Sequence, residues 1–135
     1  MTNFKNINPK DLEDILRNNS ENGTVATIDI DKVVDLAIEV WRLRNRLKKY
    51  DLPITDDQTK IIDNSFERIN RFFNAYEIQI KDYTNTKYVS ELNIDPISFE
   101  SDQSLERPTI IDTIEPQVSI ANKLYRKSKV VIGSP

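Results

Sequence analysis

The chain has 135 residues, of which 38% are hydrophobic and 30% charged, with a formal net charge of -3 and neither His nor Cys. That length holds one domain, or a helical unit joined to a small β unit. The missing residue types exclude a thiol nucleophile, an imidazole base, a Ser-His-Asp triad, a disulfide framework and the usual zinc sites.

From the amino terminus, Asn8-Pro9-Lys10-Asp11 reads as a helix start, with Asn8 as cap and Pro9 at the first helical position. Leu12, Ile15 and Leu16 give this short helix one apolar face, and the turn formers from Asn18 to Gly23 end it. Residues 1–30 are therefore read as an arm with a short helix, its last residues extended. The opening Met1-Thr2-Asn3-Phe4-Lys5 lacks the basic and then apolar order of a signal segment, and no apolar run approaches the length of a membrane span. The cytoplasm is the expected location, with no membrane partner.

Residues 31–82 read as a helical hairpin. In its first arm, over about 31–50, Val33, Leu36, Ala37, Val40, Trp41, Leu43 and Leu47 recur at helical spacing. Acidic Asp31, Asp35 and Glu39 lie toward the start and Arg42, Arg44, Arg46, Lys48 and Lys49 toward the end, which suits the helix dipole. Pro53 stops it. The second arm opens with a capping box of Thr55 and Gln58. Ile62, Phe66, Ile69, Phe73 and Tyr76 then step by four, three, four and three, a seam widened by Ile61 and Phe72. The spacing predicts that this helix fades after Tyr76, between Ile80 and Tyr83. Broad apolar stripes on both arms need a cover, supplied by the β part or by a second copy in a four-helix bundle.

Residues 83–135 read as a small, mostly antiparallel β domain, which makes the fold class α+β. Asn85 can hold a turn between Tyr83 and Tyr88, and Asp95-Pro96 is expected to break the chain before Ile97 and Phe99. Glu100 to Pro108 is polar and aperiodic. Thr109 to Ile114 reads as a strand interrupted at Pro116. Val118 and Ile120 alternate into the hairpin turn Ala121-Asn122-Lys123. Leu124 and Tyr125 begin the return, Arg126 to Lys129 is an offset, and Val130-Val131-Ile132 is the last strand.

Thr113-Ile114-Glu115-Pro116-Gln117-Val118, followed by Asn122-Lys123-Leu124-Tyr125-Arg126-Lys127-Ser128-Lys129-Val130-Val131-Ile132-Gly133, resembles the carboxy-terminal β domain of GrpE-type nucleotide exchange factors. The resemblance covers residues 80–135, and the preceding helices only in architecture. It implies a short, divergent, non-enzymatic co-chaperone that dimerises through its helices and docks its β domain on an Hsp70-type or related actin-like ATPase. It implies no cofactor, metal or catalytic residue. Two departures from the family pattern are the short segment before the first strong helix and the sequence Ile97-Ser98-Phe99-Glu100 after Asp95-Pro96.

On this reading Asn122, Lys123, Tyr125, Arg126 and Lys127 form the partner-binding hairpin. Val40, Trp41, Leu47, Ile62, Phe66, Ile69, Phe73 and Tyr76 form the core or dimer seam. Trp41 can alternatively anchor a partner, and the basic run reads as a solvated helix end because steps of two rotate by about 200° around the helix. The acidic chain, with aromatics at packing periodicity, argues against nucleic-acid binding. The alternative function is a structural adaptor or subunit of a larger complex without exchange activity.

Overall fold

A computed structural model describes residues 28–135. The arm helix expected from Asn8 lies outside the described residues. A division by contacts separates residues 1–30 from Asp31–Pro135, and the second unit holds all the sheets.

Helix α1 spans Ile30–Lys49, with Asp31 in its first turn and Arg46, Lys48 and Lys49 in its last. Helix α2 spans Asp56–Ala75. Its capping box is formed: Gln58 N–H donates to Thr55 Oγ1 at 3.1 Å, and Thr55 N–H donates to Gln58 Oε1 at 2.9 Å. The arms run in opposite directions, since Arg44 meets Phe66 and Glu67 while Phe73 packs in one cluster with Val34, Ala37 and Ile38.

Six strands follow: β1 Ile78–Lys81, β2 Ile94–Ser101, β3 Thr109–Glu115, β4 Gln117–Ile120, β5 Lys123–Arg126 and β6 Ser128–Ser134. They form two three-stranded sheets, ordered β1-β4-β5 and β2-β6-β3. Of the strand pairings, β2 with β6 is parallel, and the other three are antiparallel. Two helices followed by a small, mostly antiparallel β unit is the α+β architecture that the sequence predicts.

The two sheets share one long, bent hairpin. Strands β3 and β4 are separated only by the buried Pro116, and β5 and β6 only by Lys127. The bend therefore carries the pair from one sheet to the other. Pro116 suits this corner because it has no amide hydrogen to leave unpaired. Ser128, fully buried, donates through Oγ to the Glu115 carbonyl at 2.7 Å and satisfies the corner's backbone. The hairpin turn is at Ala121 and Asn122, both at positive φ (50° and 65°), the pattern of a type I′ turn.

Packing divides between the two sheets. Helix α1 lays Val34, Ala37 and Ile38 on the first sheet, where they meet Phe73, Ile78 and Val118. Val33, Val40, Ile69, Ile80, Ile120 and Tyr125 flank this cluster. The second sheet buries Ile94, Ile110, Val130 and Ile132 beneath Tyr83, with Tyr88 and Leu92 at the margin.

Three expectations are corrected. Helix α2 ends at Ala75 instead of fading after Ile80, because Glu77 takes a left-handed conformation (φ 57°) and turns the chain into β1. The gain is the burial of Ile78, worth about 1.5–3 kcal/mol for a large aliphatic side chain. Asp95-Pro96 does not break the chain. Pro96 lies inside β2, which has a neighbour on one side only, and the ladder absorbs it by a register shift between Pro96 and Ser98. Finally, the stripe on α1 is rotated: Val34 and Ile38 are buried, whereas Leu36 and Leu43 are more than half exposed.

Candidate functional site

The β4–β5 hairpin is built by its turn. Ala121 N–H donates to the Glu77 carbonyl at 3.0 Å, which ties the turn to the end of α2. Asn122, Lys123 and Lys127 are exposed, while Tyr125 and Arg126 are half-buried. Tyr125 packs against the helix-side core, with the Lys123 ammonium 5.3 Å from its ring centroid. Arg126 donates to Asp35 of α1 at 3.0 Å. Of the five hairpin residues singled out in the sequence, three are thus free to meet a partner, and two also fasten the hairpin to the helices.

The seam residues separate into two groups. Phe66 and Phe73 are buried, Val40, Leu47, Ile62 and Ile69 are half-buried, and Tyr76 is exposed at the end of α2. Phe72 and Tyr76 contact each other outside the core in a tilted pair, their centroids 4.9 Å apart. Leu36 and Leu43 on α1, with Tyr50 just beyond its end, are spaced by seven and exposed, as is Ile61 on α2. The hairpin therefore buries one face on the first sheet and keeps apolar side chains on its outer surface.

Trp41 belongs to neither core cluster. It is half-buried and lines a cleft of about 420 Å³ between the carboxy-terminal half of α1 and the second sheet. One wall carries Arg42, Asn45, Arg46, Lys48 and Lys49, and the other Asp82, Thr84, Asp112, Thr113 and Ile114. Beside the cleft, Glu115 is largely buried, accepts from Arg42 at 3.0 Å and lies 3.7 Å from the Lys129 ammonium. Arg42 also pairs with Glu39 one turn back along the helix. This network joins α1 to the corner of the long hairpin.

Asp82 is held from both walls. Burial pushes its carboxyl up, but hydrogen bonds from the Thr84 amide and hydroxyl, Thr113 and Asn45 outweigh that effect and keep it below the ordinary carboxylate value. Thr113 is itself buried, accepting from Tyr83 N–H at 3.2 Å and lying 3.0 Å from the Thr84 hydroxyl. Sequence reasoning missed this polar cluster, because its members are spread over residues 45–113 and meet only through the sheet.

Among the described residues no group of three or more acidic side chains converges as a metal-binding set, and no helix is long and apolar enough to cross a membrane. No protein-family model matches the chain, and no curated protein matches it in sequence.

Proposed function

We propose that this protein is a GrpE-like, non-enzymatic exchange factor, a homodimer that holds the open, nucleotide-poor form of an Hsp70-type ATPase. The observation that carries the reading is the division of surfaces: an exposed apolar face on the helical hairpin, and a β hairpin that presents Asn122, Lys123 and Lys127. A second copy packed on Leu36, Leu43, Ile61, Phe72 and Tyr76 covers the first surface and leaves the second open. Each large apolar side chain fully covered contributes about 1.5–3 kcal/mol. Binding the open ATPase more tightly than the closed one shifts its population toward nucleotide release, without chemistry in this chain.

The test is release of a fluorescent ADP analogue from the cognate ATPase. The expected result is a rate that rises with added protein and saturates, and that falls when Lys123 and Lys127 are both replaced by Ala. Stable association with unchanged release would favour the adaptor role instead. No association with any such ATPase removes the exchange reading.

A further inference from the structure

The cleft beside Trp41 is separate from the hairpin and from the outer helical face, and its chemistry is unused by the reading above. Its α1 wall carries Arg46, Lys48 and Lys49, which among the described residues have no ion-pair or side-chain hydrogen-bond partner. The adjacent cations are engaged, Arg42 with Glu39 and Glu115, and Arg44 with Glu67. The unspent positive charge is thus concentrated at the cleft and at the end of α1. On the opposite wall Asp112 also lacks a side-chain partner, whereas Asp82 is held by Thr84, Thr113 and Asn45. Trp41 and the partly exposed Ile114 supply apolar surface between the charged rims.

The strand wall has a further property. Strand β3 is an edge of its sheet. Residues 85–88 bond along its first part: Asn85 N–H donates to Ile110 O, Ile110 N–H to Thr86 O and Tyr88 N–H to Pro108 O. Past Ile110 the same segment continues along β3, with the Tyr83 amide donating to the Thr113 hydroxyl at 3.2 Å and the Thr84 hydroxyl 3.0 Å from it, so that the cleft meets β3 through the side chains of Asp112 and Ile114. The acidic strand wall disfavours a polyanion such as RNA, which places a phosphate at every nucleotide. A peptide that turns carboxylates toward α1 and an aliphatic side chain toward Trp41 meets both walls.

We propose that this cleft is a docking site for an acidic peptide segment of a protein partner, anchored by an aliphatic residue beside Trp41 and by carboxylates on Arg46 and Lys49. The site is independent of exchange activity, so its test uses this chain without any ATPase. Trp41 is the only tryptophan of the chain and reports occupancy directly. The full-length protein is titrated with a blocked octapeptide that alternates Glu with small polar residues around one central Leu. A matching peptide with Lys in place of Glu and a single-stranded oligouridylate serve as comparisons.

The expected result is a saturable change in Trp41 emission with the acidic peptide, weakening as salt is raised because Arg46, Lys48 and Lys49 are exposed. Arg46→Ala with Lys49→Ala should weaken binding by about tenfold, and Asp112→Asn should strengthen it. The two variants thus move affinity in opposite directions, and a merely unfolded protein would not do this. Thermal melts of each variant confirm the fold. No emission change up to about 1 mM peptide, an affinity too weak to matter, would overturn the proposal. So would an equal response to the Lys peptide, tighter binding of the oligouridylate, or an emission change that follows protein concentration alone and marks the cleft as a contact between copies.

Discussion

Gly133 lies buried in β6, and a methyl group placed on it would sit 2.7 Å from both Ile111 Cγ2 and Leu105 Cδ1. Leu105 is brought there by its loop, where the Asp102 amide donates to the Ser134 carbonyl at 2.8 Å and the Leu105 amide to the Asp102 carbonyl at 3.2 Å. Leu105 can give way, but the β-branched Ile111 cannot do so without moving its strand. Gly133→Ala should therefore lower stability by about 1–3 kcal/mol in urea denaturation. Adding Leu105→Ala should recover part of that loss, a non-additivity expected of neighbours. Asp82 makes a prediction of the opposite kind, in pH. Its folded pKa is depressed, so it contributes stability that is present above the unfolded carboxylate value and is lost as pH falls through the folded one. Asp82→Asn should accordingly be destabilising near neutrality, and the difference from the unaltered protein should shrink below about pH 4. Urea melts across that range measure it, and a constant difference would show that the carboxylate's charge is irrelevant.

Among the elements, the β4–β5 hairpin is the one whose geometry and residue type disagree. A two-residue type I′ turn needs positive φ at both positions and favours Asn-Gly, yet it is made here by Ala121 and Asn122. Asn tolerates the left-handed region, whereas Ala bears a steric cost there. Ala121→Gly should raise the urea midpoint and add about 0.5–1 kcal/mol of stability. Unchanged stability would mean that the turn carries no such cost. The position of this turn was legible in the sequence, since Val118 and Ile120 alternate into it and Leu124 and Tyr125 lead out. So were the capping box of α2 and the interruption at Pro116. The end of α2 was not, because Phe73, Tyr76 and Ile80 continue a helical rhythm and only the burial of Ile78 against α1 and Val118 favours strand. Pro96 misled for a related reason: whether proline breaks a strand or rides along its edge depends on which neighbour the strand finds.

At the scale of the molecule, the two phenylalanines in sequence at the end of α2 have opposite environments. Phe73 is 4% exposed and Phe72 is 55% exposed. Phe73→Asp would bury an unpaired charge among Val34, Ala37 and Ile78, which costs several kcal/mol, enough to unfold a marginal small protein. Phe72→Asp should leave the cooperative melt of the dilute chain intact but abolish the proposed dimer. Sedimentation velocity and thermal circular dichroism separate these outcomes. A dimer that survives Phe72→Asp would place its interface elsewhere, and an unchanged melt in Phe73→Asp would contradict the core.

The sequence by itself determined the two long helices, the α+β order and the exclusion of His- and Cys-based chemistry, because periodicity, caps and composition are local properties. It also marked the β hairpin turn at Ala121 and Asn122, from the strand alternation that leads into it. Only the tertiary structure decided which side of α1 is buried, since Leu36 and Ile38 are comparably apolar and the sheet selects Ile38. It likewise placed Trp41 beside a strand more than 70 residues away, brought Arg42 to Glu115, and left Arg46, Lys49 and Asp112 without side-chain partners among the described residues, across one cleft. Such juxtapositions depend on how the long hairpin bends at Pro116 and packs against α1, and no spacing along the chain encodes that bend.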